Sequence, residues 1–146
     1  MTIAVETPIE QLAEGLTRHY LYDKQIVVFT VEDIHQHTID AWAEAVKHEV
    51  LNWPAERPFL NIHNFLNVKN MSFTPYIRKK SAELTPLAPD KVGRTALVLP
   101  RSLVSQIVHY FLRTQQLRVR PRQVFFKMDD ALQWCEALLK DPTAPK

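Results

Sequence analysis

The last third of the chain, residues 93–139, constrains the fold more than any other stretch. A short apolar run, an amphipathic helical pattern, a second apolar run and a second amphipathic pattern follow one another there in strict order. Such alternation is typical of a parallel or mixed sheet flanked by helices. With 146 residues, 46% of them hydrophobic, the chain has the size and composition of one globular unit. The sequence therefore predicts a single-domain α/β protein.

The rest of the pattern predicts a four- to five-stranded mixed sheet that starts with a hairpin and carries about four helices. The expected strands cover residues 16–21, 25–31, 58–65, 93–99 and 124–126. Two of the expected helices cover residues 38–53 and 74–84. A third is capped by Ser102, and a fourth is capped by Asp129 or Asp130.

The two ends of the chain are expected to lie outside this unit. Thr7-Pro8-Ile9-Glu10 has the form of a capping box with proline at the first helical position. It predicts a short helix over residues 8–14. We therefore expect an N-terminal extension over residues 1–14, the α/β domain over 15–140 and a disordered tail over 141–146.

Several classes of protein are not supported by the composition. Gly15 and Gly93 are the two glycines and lie far apart, whereas loops that wrap phosphates need clustered glycines. No apolar run approaches the roughly 20 residues that cross a bilayer, and no signal-peptide pattern is present. Cys135 falls within an amphipathic helical pattern, which indicates a small buried side chain. We expect a soluble, cytoplasmic protein.

No motif in the sequence indicates catalysis or metal binding. His35, His37 and His48 have no cysteine or carboxylate partner at metal-ligand spacing. The sequence favours a non-enzymatic protein with no cofactor and no metal site. An enzyme built from residues remote in sequence stays open as an alternative, because such residues can meet in space.

Charge is distributed unevenly along the chain. Residues 1–75 hold five Lys/Arg and ten Asp/Glu, whereas residues 76–146 hold thirteen and six. Arg78, Lys79 and Lys80 follow one another in a predicted helix and form either a solvated face or a surface for an acidic partner. Four more arginines, at positions 113, 118, 120 and 122, precede the last strand and favour a solvated loop. Few aromatic residues are interleaved with them, so nucleic-acid binding is not favoured.

Three segments taken together resemble the SpoIIAA-like family, which groups STAS domains with relatives of the CRAL-TRIO lipid carriers. They are the strand 93–99 with its following helix, Ser72-Phe73-Thr74-Pro75 before the preceding helix, and Val124-Phe125-Phe126 followed by Ala131-Leu132-Gln133-Trp134. The resemblance covers roughly residues 16–139. It implies a sheet of four or five strands with helices packed on it.

The resemblance also implies a function. Anti-anti-sigma factors of this family take a phosphate on a serine in an Asp-Ser turn at the start of a helix. The matching turn here lacks that pair, and its hydroxyls are Ser72 and Thr74. These two residues form either a phosphorylation or anion site, which a helix N-terminus would stabilise, or a simple cap.

We therefore expect a non-enzymatic regulatory or protein-interaction module, with Arg78, Lys79 and Lys80 as the partner surface. The alternative is a carrier of a small apolar ligand or lipid, as the CRAL-TRIO relatives imply. Its pocket would lie between sheet and helices, lined by Leu60, Ile62, His63, Tyr76, Phe111 and Trp134. A homodimer is a further alternative, because an exposed strand at the sheet edge can pair with a second copy.

Overall fold

One mixed sheet organises the computed structural model, which describes residues 7–113 and 117–140. Over these residues the sheet has six strands: β1 (Glu10–Ala13), β2 (Leu16–Leu21), β3 (Ile26–Val31), β4 (Phe59–Asn64), β5 (Gly93–Val98) and β6 (Arg122–Phe125). The strands lie side by side in chain order. The pairs β1–β2 and β2–β3 are antiparallel, and the three following pairs are parallel.

Four α-helices of the described chain pack on this sheet. They are α1 (Gln36–Asn52), α2 (Pro75–Leu84), α3 (Val104–Arg113) and α4 (Met128–Lys140), and a 3₁₀ turn (Arg101–Leu103) precedes α3. Within residues 7–113 and 117–140, none of the helices combines the length and apolar character that crossing a bilayer requires. The α/β prediction, the hairpin β2–β3 and the number of helices are confirmed.

The sheet is larger than predicted because of β1, and the helix predicted over residues 8–14 is wrong. Glu10 pairs with Arg18 and Gln11 with Thr17 along the outer side of β2. Thr7 does not cap a helix, since its Oγ1 accepts a hydrogen bond from the backbone N–H of Tyr20 at 2.9 Å. A neighbouring strand thus satisfies backbone groups that the local motif assigned to a helix. The sheet begins inside the predicted extension, and the predicted tail 141–146 lies outside the described residues.

Two predicted helix caps are also wrong. Ser102 lies inside the 3₁₀ turn, whose first hydrogen bond runs from the N–H of Leu103 to the carbonyl of Pro100 at 3.1 Å. Helix α4 begins at Met128, so Asp129 and Asp130 lie in its first turn. There their carboxylates face the positive end of the helix dipole, which stabilises the helix without a capping bond.

The two faces of the sheet are covered by different helices, because side chains alternate along each strand. Ile26 and Val28 of β3 pack with Cys135 and other residues of α4, which covers one face alone. Val27 and Phe29 face the opposite side, where α1, α2 and α3 complete the larger core. Strand β3 is therefore buried on both faces, as its apolar run predicted.

Cys135 is fully buried in the smaller core, as predicted. Burial raises the pKa of its thiol to about 12. The side chain is therefore a neutral thiol at physiological pH, and it packs as a small apolar group.

Candidate ligand-binding cavity

A cavity lies between the sheet and the three helices α1, α2 and α3. Its volume is about 70 Å³, which is room for about five water molecules at about 10–15 Å³ each. The apolar side chains of its wall include Trp42, Val46, Val50, Phe59, Leu84 and Leu97. Polar side chains converge on the same space, among them Thr85, Thr95, Arg120 and Arg122. Of the described residues that line the cavity, none is acidic.

Strand alternation explains why polar groups reach this space. Asn61 and His63 occupy alternate positions of β4, so both point toward the helices, and each is at most 2% exposed. Thr95 pairs with Asn61 in the adjacent strand β5. The cavity therefore has a polar floor inside an otherwise apolar core.

A directed chain of hydrogen bonds forms this floor. Trp42 Nε1 donates to His63 Nδ1 at 3.0 Å. Because that ring nitrogen accepts, the neutral imidazole carries its hydrogen on Nε2, which donates to Asn61 Oδ1 at 2.5 Å. The amide nitrogen of Asn61 then donates to Thr95 Oγ1 at 3.0 Å and to the carbonyl of Arg94 at 3.2 Å.

His63 is held neutral in this chain. Burial lowers the pKa of His63 to about 3. Its ring also stacks on Phe29, with centroids 5.5 Å apart, and meets the edge of Trp42. Both ring nitrogens are engaged, so the imidazole positions its neighbours and offers no free nitrogen to a reactant.

Arg120 brings a buried positive charge to the cavity wall. The residue is 7% exposed. Its Nη1 donates to the carbonyls of Ala88 and Lys91, both at 2.9 Å, and its Nη2 donates to the carbonyl of Leu87 at 2.7 Å. Burial lowers the pKa of Arg120, yet a guanidinium stays charged at physiological pH. Arg120 therefore anchors the loop that follows α2.

Two more cations lie close to Arg120. Arg122 lines the same cavity, with Nη1 3.5 Å from Thr85 Oγ1 and Cζ 5.8 Å from the centre of the Tyr110 ring. Lys91 donates from Nζ to the carbonyl of Trp53 at 2.7 Å. Burial, and secondly the charge of Arg120, lower the pKa of Lys91. Three basic side chains therefore lie at or close to the cavity wall.

The solvated arginine loop predicted before the last strand is wrong for Arg120. An extended segment would place Arg118 and Arg120 on one side, but Arg118 is exposed and Arg120 is buried. The chain turns tightly here, since the N–H of Arg120 donates to the carbonyl of Leu117 at 3.3 Å. The side chain of Arg113 lies outside the described part of the chain.

The structure does not bring the predicted pocket residues together. His63 lines the cavity, but Leu60 and Ile62 of the same strand face α4 on the other side of the sheet. Trp134 also lies on that side. Tyr76 hydrogen-bonds Asp40 between α2 and α1, and the side chain of Phe111 lies outside the described residues. Strand alternation rules out a pocket that contains both Ile62 and His63.

The predicted phosphate turn and partner surface lie at the start of α2, away from the cavity floor. Ser72 is exposed, and Thr74 accepts a hydrogen bond on Oγ1 from the N–H of Ile77 at 3.2 Å. The predicted helix cap at Thr74 is confirmed. Arg78 and Lys79 are exposed, whereas Lys80 is half-buried and lies 3.6–3.7 Å from carboxylate oxygens of Glu83 and Asp40.

Removing the cap should weaken α2. Thr74→Ala is expected to lower the free energy of unfolding by about 1 kcal/mol, because the N–H of Ile77 loses its acceptor. Thr74→Ser keeps an acceptor oxygen and should stay close to the wild type. Urea unfolding followed by circular dichroism measures both values, and equal losses for the two variants would contradict the capping role.

A metal site would need several converging histidine, cysteine or carboxylate side chains. His35 and His37 lie near each other, with ring centroids 5.6 Å apart. Over residues 7–113 and 117–140, no three His, Cys, Asp or Glu side chains converge as the ligands of a metal ion would.

Comparison with known proteins gives no match for this chain among protein-family models, curated proteins or solved structures. The geometry of the cavity therefore carries the functional argument.

Proposed function

We propose that this protein is a non-enzymatic binding protein that holds a small, largely apolar ligand between the sheet and helices α1, α2 and α3. The observation that carries the proposal is the cavity of about 70 Å³ between the sheet and these helices, which is partly open to solvent. An apolar cavity with a few converging polar groups is typical of ligand sites.

The ionisable groups around the cavity support binding over catalysis. Hydroxyls are present at Ser81, Thr85 and Thr95, but a hydroxyl nucleophile needs an adjacent general base. Among the described lining residues, His63 is the one imidazole, and both of its nitrogens are hydrogen-bonded to protein groups.

We also propose membership of the SpoIIAA-like family, close to its CRAL-TRIO relatives. The support is a hairpin followed by parallel strands in the order β3, β4, β5, β6, with amphipathic helices on both faces. The residue patterns that resemble the family lie in these same elements. A lipid or small apolar molecule is the ligand class that this relationship implies.

A regulatory module that binds a protein partner is the second candidate. The observation that favours it is the exposure of Ser72 beside the exposed cations Arg78 and Lys79. Phosphorylation of Ser72 or Thr74 would place a large negative charge next to this surface. Binding of a ligand in the core and of a partner at α2 are compatible, since Arg78 and Lys79 are exposed and do not line the cavity.

Filling the cavity should abolish ligand binding without unfolding the protein. Leu97 lines the cavity and is only partly buried, so Leu97→Phe extends the side chain into open space. We expect the wild type to bind hexanoate or hexan-1-ol in a titration followed by amide chemical shifts. The variant should bind at least about tenfold more weakly.

The matched control is Val92→Phe, which adds the same ring just before β5 at an exposed position outside the cavity. It should bind as the wild type does. The proposal fails if the wild type binds neither probe, or if Leu97→Phe is folded and binds both probes as tightly as the control.

A further inference from the structure

We infer that the ligand carries a carboxylate, and that Arg120 and Thr95 bind this head group while the apolar wall holds the rest of the molecule. The inference rests on the proposed function, because it assigns chemistry to the ligand of the same cavity. Its support comes from three observations: a buried cation without a charged partner, the charges of the wall and the direction of the hydrogen-bond chain.

Arg120 is a buried cation that is neutralised by no carboxylate of the described chain. Its contacts are the three backbone carbonyls of residues 87, 88 and 91. These contacts use three of the five N–H donors of a guanidinium, so two N–H groups remain for another acceptor. Carbonyl dipoles solvate a charge but do not cancel it, and buried charges in proteins are normally paired. An anion in the cavity would complete the pair.

The remaining charges of the wall have the same sign. Arg122 lines the cavity beside Arg120, and no acidic side chain is present among its described lining residues. Basic side chains in a largely apolar wall favour an anion and disfavour a cation. The wall therefore discriminates by charge as well as by size.

The hydrogen-bond chain ends in a donor that lines the cavity. It starts at Trp42, whose indole N–H can only donate, so every later bond has a fixed direction. Thr95 Oγ1 accepts at the end of the chain from Asn61. No hydrogen bond donated by the Thr95 hydroxyl is seen within the described residues. Its hydrogen is therefore available to an acceptor, and the acceptor that the nearby arginines favour is a carboxylate oxygen.

The test is a series of probes that share one chain and differ in head group: hexanoate, hexan-1-ol and hexan-1-amine, titrated at pH 7 by calorimetry. We expect hexanoate to bind at least about tenfold more tightly than the alcohol, and the amine to bind most weakly. If the alcohol or the amine binds as tightly as hexanoate, the inference that the ligand carries a carboxylate is wrong, and the proposed function stands. If none of the three binds, the proposed function fails as well.

Two variants locate the head group. Thr95→Val keeps the shape and removes the donor, while Asn61 keeps its hydrogen bond to the carbonyl of Arg94. Hexanoate affinity should fall about three- to tenfold, and hexan-1-ol affinity should fall less because a neutral acceptor forms a weaker hydrogen bond. Thr30→Val in β3 makes the same change outside the cavity and should alter neither affinity. Equal effects of Thr95→Val on both probes would overturn the assignment.

Arg120→Gln should remove the preference for hexanoate over hexan-1-ol. Because Arg120 also anchors a loop, the melting temperature of the Arg120→Gln variant is measured first. If this variant does not fold, the Thr95→Val result decides whether the cavity binds a carboxylate. A folded Arg120→Gln protein that still prefers hexanoate tenfold would overturn the inference.

Discussion

Replacing Gly93 with alanine is expected to lower the free energy of unfolding by about 3 kcal/mol or more. A Cβ atom built on Gly93 would lie 1.9 Å from the carbonyl oxygen of Phe59, and 2.7 and 2.9 Å from its carbonyl carbon and nitrogen. These are backbone atoms of the neighbouring strand, so no side-chain rotation relieves the overlap. Strands β4 and β5 would have to separate at the point where their pairing begins.

The displacement would also reach the candidate cavity, because Thr95 and Leu97 of β5 lie just beyond Gly93. Urea unfolding at neutral pH measures the loss of stability. The matched control is Ala96→Gly in the same strand, which removes a methyl group and adds backbone freedom for a cost of about 1 kcal/mol. If Gly93→Ala is no less stable than this control, the close approach of β4 and β5 is not as described.

Acidification is expected to destabilise the protein through His63. The pKa of His63 is lowered by burial from its ordinary value of 6.5 to about 3. Between these two values the unfolded chain binds a proton that the folded protein excludes. The free energy of unfolding should therefore fall by about 1.4 kcal/mol for each pH unit below 6.5, and level off near pH 3. Above pH 6.5 this group contributes no pH dependence.

His63→Gln isolates this contribution from the other titrating groups. Glutamine offers an acceptor and a donor to Trp42 and Asn61 but takes up no proton in this range. Urea unfolding is measured between pH 7 and pH 4.5. Over this range the free energy of unfolding of the wild type should fall by about 2–3 kcal/mol more than that of the variant. Parallel pH profiles for the two proteins would mean that His63 is protonated without cost in the folded state.

Local sequence signals predicted the central elements well. Residues 26–31, 59–64 and 93–98 form strands where short apolar runs predicted them, because strands of this kind are buried whatever their neighbours are. Helix α2 begins where Thr74 and Pro75 predicted it, since both residues act within one helical turn. These features depend on interactions between residues close in the chain.

The errors occurred where a distant partner decides the outcome. Residues 10–13 form a strand because the edge of β2 offers them hydrogen bonds, which a local capping motif does not reveal. Arg120 is buried because three carbonyls, from residues about 30 positions earlier, converge on its guanidinium. Nothing in the spacing of the arginines indicates that contact.

The candidate site was predictable only in part. Asn61 and His63 are polar residues at alternate positions of an apolar strand, which indicates that both face the same side of the sheet. The predicted pocket included His63 but not Asn61. The same alternation excludes Leu60 and Ile62 from that pocket. Thr95 and Arg120 gave no signal of their own, because their role follows from what other strands and loops place around them.

The sequence by itself determined the alternation of strands and helices, since hydrophobic periodicity decides which face of each element is buried. Only the tertiary structure decided that three helices share one face of the sheet and leave a cavity beside a buried arginine. The reason is physical: burial and charge compensation depend on which groups meet across long stretches of chain, and one residue's type does not specify its distant neighbours.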